Sequence, residues 1–379
     1  MKVTVQVAQV SDIIDIASRF VARNATLPIL QNVYLKASID TLTIRATDME
    51  KYIEVEIPCQ VHSEWAVTVN GKTLSDIIKT VEDQQCDIAV DQNTQILTIK
   101  TAKDTFDING IAASEYVALP EIPNENKVSL DIVAFAKGVE RVEFAVTEKN
   151  FSPVLTGVLL KAKKWDDKLI FVGTDSFRLA EYKAVSSVNE NDLTLIIPKL
   201  TIVDMQKIAQ YAMSKNTEQL QVQYSDNLVS FACTVDNMKL VATSLLIQGN
   251  FPDYERPEIM PTEFNSTILL DKNDCEKAIK KIGILTRDIN NFIQIETNKD
   301  SINITSGKTD KGNANTSTSA IITGNDVQFG INGKYITDFT RIMAGTELIF
   351  NIVDNHKPLI IIDKNDTAYR YVVRPLINN

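Results

Sequence analysis

The 379-residue chain carries 39 basic and 49 acidic side chains, a net charge of −10, with 44% hydrophobic residues, 13 glycines and 11 prolines. That balance excludes a disordered or collagenous chain and a uniformly basic nucleic-acid binder, and the length suits two or three ordinary domains rather than one core. No run of eighteen apolar residues occurs, and the opening MKVTVQVAQV alternates like a strand instead of placing charge ahead of an apolar block, so the chain reads as cytosolic.

In chain order, VTVQV predicts a strand, and IIDIASRFVA behind Ser11-Asp12 predicts a helix whose Ile13, Ile16, Ala17 and Phe20 share one face, capped by Ser11 or Asp12. PILQNVYLKA (Pro28 to Ala37) and LTIRATD (Leu42 to Asp48) alternate with period 2 and predict a strand pair. NGKTLSDIIKTV from Asn70 predicts a second helix, followed by strands in CDIAV, ILTIK and TFDIN.

The same order then recurs. PVLTGVLLKA (Pro153 to Ala162) matches the earlier segment at six of ten positions, 125 residues on, and LIFVGTD (Leu169 to Asp175) repeats LTIRATD at an offset of 127. Before it, LDIVAFAKGVERVEF after Ser129 predicts the first helix of this unit, and PKLTIVDMQKIA from Pro198 predicts the second. A fainter third copy has DKNDCEKAIKKIGIL after Leu270, then FIQIE and INITSG, then NGKYITDFTRIM from Asn332. Each second helix contains Asp, two residues, then Lys or Arg: Asp76 and Lys79, Asp204 and Lys207, Asp338 and Arg341.

Linkers with an acid-Tyr pair and two prolines, EYVALPEIPNENK and DYERPEIMPTEFN, separate the copies. The expected organisation is therefore α+β, with three units at residues 1–123, 124–256 and 257–379. Charge is uneven: the first unit holds 10 basic and 17 acidic residues, the second 15 and 17, the third 14 and 15.

Catalytic chemistry is not indicated. His62 and His356 stand near opposite ends of the chain without a nucleophile motif. Gly71-Lys72-Thr73 and Gly307-Lys308-Thr309 lack the upstream glycine of a phosphate-binding loop; the first reads as the turn opening a helix. Cys59, Cys86, Cys233 and Cys275 have no metal or disulfide spacing and read as buried reduced thiols. No cofactor or metal is expected.

Four segments, RNATLPIL (Arg23 to Leu30), GTDSFRLA (Gly173 to Ala180), GNFPDY (Gly249 to Tyr254) and YVVRPL (Tyr371 to Leu376), resemble the bacterial sliding clamps, the beta subunits of DNA polymerase III. The resemblance covers the whole chain in order. It implies three domains of one DNA-clamp topology, helices lining a hole, antiparallel sheets outside, and a head-to-tail homodimer ring with twelve helices around duplex DNA. It implies a non-catalytic processivity factor, bound to DNA by topology without sequence preference, whose partners are the replicative polymerase, the clamp loader and repair proteins.

The same resemblance implies a partner-peptide groove at Leu155, Thr174, Arg178, Leu179, Pro252, Arg256, Tyr335, Val372, Val373, Pro375 and Leu376. It implies ring closure through Phe106, Ile284 and Leu285. Basic residues on or after the helices, Arg23, Lys137, Arg141, Lys149, Lys199, Lys207, Lys277, Lys280, Lys281 and Arg287, are the candidates for DNA contact, and Lys277, Lys280 and Lys281 share a helix face. Phe177 and Arg374 depart from the family pattern, and the tail Ile377-Asn378-Asn379 runs slightly past its usual end. A second reading, open on residues alone, is a β-rich repeat scaffold that binds only proteins.

Overall fold

The computed structural model describes residues 2–24, 26–120, 122, 126–149, 151–186 and 191–376. The first unit runs β1 (Lys2–Gln6), α1 (Val7–Ala17), β2 (Asn32–Ser38), β3 (Thr41–Thr47), β4 (Lys51–Pro58), β5 (Gln60–Val61), β6 (Trp65–Asn70), α2 (Gly71–Ile78), β7 (Gln85–Asp91), β8 (Ile96–Lys100) and β9 (Thr105–Ala112). The second runs β10 (Asn126–Asp131), α3 (Ile132–Val142), β11 (Gly157–Ala162), β12 (Lys168–Thr174), β13 (Arg178–Val185), β14 (Leu193–Pro198), α4 (Lys199–Ser214), β15 (Gln219–Tyr224), β16 (Leu228–Val235) and β17 (Met238–Leu245). The third repeats that order with β18 (Ser266–Asp271), α5 (Lys272–Thr286), β19 (Phe292–Asn298), β20 (Ser301–Thr305), β21 (Asn315–Gly324), β22 (Gln328–Asn332), α6 (Gly333–Ile342), β23 (Glu347–Ile352), β24 (Leu359–Asp363) and β25 (Asp366–Val373). Apart from the short β5, the three units have one element order, and each carries two helices.

Helix starts follow a local rule. Asp131 and Asp271 end a strand and accept the backbone N–H of Ala134 and Asp274, at 2.7 and 3.0 Å, and Asn70 and Asn332 do the same for α2 and α6. The first helix differs from expectation. It begins at Val7, directly out of β1, with no side-chain cap, so Ser11 and Asp12 lie inside it rather than ahead of it. Strand and helix are continuous because Val5, Val7 and Val10 all turn into the same core.

Within each unit the two helices pack on each other and against the strands. Gly138 of α3 marks the closest approach, since a Cβ there would stand 2.2 Å from the Phe171 ring. The strands join into two antiparallel sheets that cross unit boundaries: β10-β15-β16-β17-β4-β3-β2-β6-β9-β8-β7-β1-β5 and β14-β11-β12-β13-β25-β24-β23-β18-β21-β20-β19-β22. Two joints make this possible. The last strand of the second unit, β17, pairs with β4 from Lys239↔Glu56 to Ser244↔Lys51, and the last strand of the third, β25, pairs with β13 from Arg178↔Val373 to Tyr182↔Tyr369.

Candidate functional site

Beside the second joint lies an apolar cleft of about 570 Å³. Its floor comes from alternation on two paired strands: Leu179 of β13 faces Val372 of β25, and both turn to this side, with Leu155 beside them in the same apolar cluster. The segment Phe251-Pro252 with Tyr254 makes one wall, and Ile259, His356 and Pro358 complete it. Tyr254 is anchored by its hydroxyl, which donates to the buried Glu181 carboxylate at 3.0 Å, and burial first, then that carboxylate, pushes the phenol pKa far up. Phe177, over half exposed, and the charged Glu258, Lys357 and Arg374 also line the cleft.

Of the groove residues expected from sequence, Leu155, Thr174, Arg178, Leu179, Pro252 and Val372 line this cleft. Val373 does not: one position along the strand from Val372, it points to the opposite face and is fully buried in the main core. Pro375 is buried, and the Leu376 N–H donates to the Gly330 carbonyl at 2.8 Å, which ties the chain end to β22 rather than to the cleft. Arg256 is exposed beside Asp253, and Tyr335 lies beneath the Arg178 guanidinium, 4.5 Å from ring centre to Cζ. The tail Ile377 to Asn379 lies outside the described residues.

Arg178 is not a free rim cation. Its Nε reaches Asp175 at 2.9 Å, its Nη1 reaches Asp338 of α6 at 2.7 Å, and its Nη2 donates to the Phe144 carbonyl at 2.9 Å. Burial works against the charge, but Tyr371 and these two carboxylates outweigh it and raise the guanidinium pKa. Tyr371 packs on Phe144 and stacks on Phe339, so the cation sits at the centre of the joint between the second and third units.

The first joint repeats the device. Lys51, at the start of β4, meets Asp204 of α4 at 2.5 Å, both side chains nearly buried, with the ammonium over the Phe20 ring. Burial raises the Asp204 pKa against the pull of Lys51. The Asp that sequence alignment placed in each second helix is thus a joint residue twice; the third, Asp76, is exposed and, among the described residues, pairs with Lys72 of its own helix.

The basic candidates divide by burial. Arg23, Lys137, Lys149, Lys207, Lys277, Lys280, Lys281 and Arg287 are exposed. Arg141 is a correction: it is buried between the Tyr182 and Tyr369 rings with Asp366 at 3.8 Å, where no phosphate can reach it. Lys199 is partly withdrawn, donating to the Val146 carbonyl at 2.8 Å. Basic residues on or just after the helices and missed from sequence line two further clefts, Arg19, Lys72 and Lys79 between α1 and α2, and Lys334 and Arg341 between α5 and α6. The Asp-x-x-Lys/Arg spacing of the second helices already contained Lys79 and Arg341, as did N-G-K for Lys72 and Lys334. Nothing in the sequence signalled that His356 borders the cleft.

Phe106 is partly buried against the core, Ile284 is 64% exposed, and Leu285 lies between these extremes. Among the described residues no group of three or more His, Cys, Asp or Glu side chains is placed to hold a metal ion, and no helix is long and apolar enough to cross a membrane.

Three family models match in sequence: the N-terminal domain of the DNA polymerase III beta subunit over residues 1–120, the central domain over 129–253 and the C-terminal domain over 257–377. The chain is 26% identical over 369 residues to a beta sliding clamp of Staphylococcus epidermidis, covering 94% of each chain. Its fold superposes on the DNA polymerase III beta subunit of Thermotoga maritima with a TM-score of 0.92 at 22% identity, and on a Pseudomonas aeruginosa sliding clamp bound to griselimycin with 0.88 at 21%, covering the whole of each chain. Repeated element order, sheet joints and matched models agree, and the chain belongs to the DNA polymerase III beta subunit family.

Proposed function

We propose that this chain is a DNA sliding clamp: two copies close head to tail around duplex DNA, slide without catalysis, and hold the replicative polymerase, the clamp loader and repair proteins through short peptides seated in the cleft beside Leu179. The observation that carries this is the repeated joint. In both joints the last strand of one unit lies on the fourth strand of the unit before it, and one instance of each partner remains unused. Among the described residues, Thr105–Asn109 of β9 pairs with β8 alone, and Asn315–Ser319 of β21 with β20 alone. A heterologous contact between these edges closes after two copies and leaves no open filament.

Ile284 supports the same closure. It lies in the last turn of α5 at the position that Phe144, just past α3, holds in the second unit, and Phe144 is covered by Tyr371 of the neighbouring unit's last strand whereas Ile284 is bare. In a ring, Ile284 and Leu285 meet the last strand of the other copy near Phe106. The exposed basic residues on the helices then face DNA as screened phosphate contacts that permit sliding. The cleft, with its apolar floor, takes a leucine or aromatic anchor of the partner peptide. The protein serves replication in the cytoplasm.

Small-angle scattering at several concentrations tests closure: a mass of twice 42.3 kDa with the distance distribution of a hollow disc is expected. Protein loaded on nicked circular DNA is expected to be released when that DNA is linearised. A monomer at all concentrations, or retention indifferent to linearisation, sinks the reading in favour of a protein-only scaffold.

A further inference from the structure

We infer that the contact between two copies is sealed by an ion pair between Asp76 of one copy and Lys311 of the other, completing a set of three of which the chain itself contains two. The inference rests on the ring proposed above and adds the register and the charges that complete it.

The two internal joints share a fixed construction. A Thr hydroxyl before the joint strand donates to the carbonyl of the strand's first residue: Thr47 to Lys51 at 2.9 Å and Thr174 to Arg178 at 2.6 Å. That first residue carries the cation which reaches across to the second helix of the next unit, at Asp204 and at Asp338. In the third unit Thr309 makes a one-residue-shorter version of that bond, donating to the carbonyl of Gly312 ahead of β21 at 2.8 Å. The two-residue hairpins Ser38↔Thr41 and Asn298↔Ser301 align Thr41 with Ser301, and extending their ladders beyond the last pairs, Thr47↔Tyr52 and Thr305↔Asn315, sets Lys51 against Gly312 although Thr309 itself is shifted from the place of Thr47. Carrying the β17–β4 register over, with Phe106 in the place of Ala242, sets Thr105 opposite Asn315 and Asp107 opposite Asn313 of the other copy.

Gly312 has no side chain to offer, and the lysine beside it is Lys311. It is exposed and, among the described residues, its ammonium holds the exposed Asp288, a surface pair that is lightly held and easily exchanged. The acceptor is equally prepared. Asp76 occupies in α2 the place of Asp204 and Asp338, and it is 60% exposed with Lys72 four residues before it, as Lys334 stands four before Asp338. The overall charge fits, since the first unit is the most acidic of the three and the loop ahead of β21 carries Lys308 and Lys311.

Sedimentation equilibrium on the full chain tests this. Asp76→Lys and Lys311→Glu are each expected to raise the dimer Kd by about tenfold or more, the effect of a like-charge contact at an interface, and the double variant to restore most of the affinity. Thermal melts of each variant at dilution below the dimer Kd confirm an intact monomer, because both side chains are exposed in it. If the wild type dimerises but either single variant leaves Kd unchanged, or the double variant fails to recover, the pair is overturned and the ring stands. A wild type that stays monomeric overturns both.

Discussion

Arg178 and Asp338, 160 residues apart in sequence, meet at 2.7 Å with about a tenth of each side chain exposed, and through them the strand that floors the partner cleft is tied to a helix of the next unit. Lys334 and Arg341, exposed on that helix, approach the same carboxylate at 2.7 and 3.7 Å.

Removing that carboxylate leaves Arg178 buried with only Asp175 as counter-charge. Asp338→Ala is expected to cost about 3–5 kcal/mol of stability, the range for breaking a buried ion pair, whereas Asp76→Ala at the aligned exposed position costs less than about 1 kcal/mol in the monomer. Urea unfolding of both variants under dissociating conditions checks the contrast; equal destabilisation would refute the assignment of Asp338 as the joint residue.

The cleft separates neighbours on one strand face from neighbours on the other. Leu179→Ala is expected to weaken a partner peptide by about 1–3 kcal/mol, the scale of an interface anchor. Val373→Ala destabilises the fold but leaves peptide affinity unchanged, because its side chain points into the main core. Isothermal calorimetry with a leucine- and phenylalanine-containing peptide gives the answer, and an effect at Val373 matching that at Leu179 would move the groove elsewhere.

Lys277, Lys280 and Lys281 lie exposed along α5. Replacing all three by alanine is expected to lower DNA affinity and reduce the slope of log K against log salt by about 0.9 for each phosphate that is no longer neutralised. A slope equal to the wild type's would exclude this helix from the DNA-facing surface.

All four cysteines are unpaired, and burial is the first cause that pushes the thiols of Cys59, Cys86 and Cys233 up to about 11 and that of Cys275 to about 12. The reactive thiolate therefore forms only above the working pH, and a disulfide reagent at pH 8 is expected to label none of them rapidly in the native protein and all four after unfolding. Rapid labelling of any one before unfolding would mean that its surroundings open.

Sequence periodicity reads the strands well because their cores are one-sided: Val33 and Leu35, or Val158 and Leu160, repeat at period 2 and are all buried. The Asp and Asn residues ahead of α2, α3, α5 and α6 mark helix starts through a bond made within three residues; α1 and α4 have no such bond, and of these α4 follows Pro198 as its sequence suggests while α1 starts elsewhere. The third unit is fainter for a specific reason. Its Thr-Asp pair exists as Thr309-Asp310, but Ser306, Gly307 and Lys308 intervene after β20, so the match slips out of the strand register used for the other two.

What the amino-acid order determined by itself was everything carried by short-range spacing: three copies of one unit, two helices in each, one-faced strands, and an aspartate recurring in every second helix. What only the tertiary structure decided was which of those repeated residues are used. Asp204 and Asp338 are buried against Lys51 and Arg178 while Asp76 stays in water, and Val372 faces the cleft while Val373 faces the core. Such outcomes depend on strands from different units lying side by side, over separations well beyond a hundred residues, and a residue's charge or apolarity has one meaning in water and another once a neighbouring unit has removed the water around it.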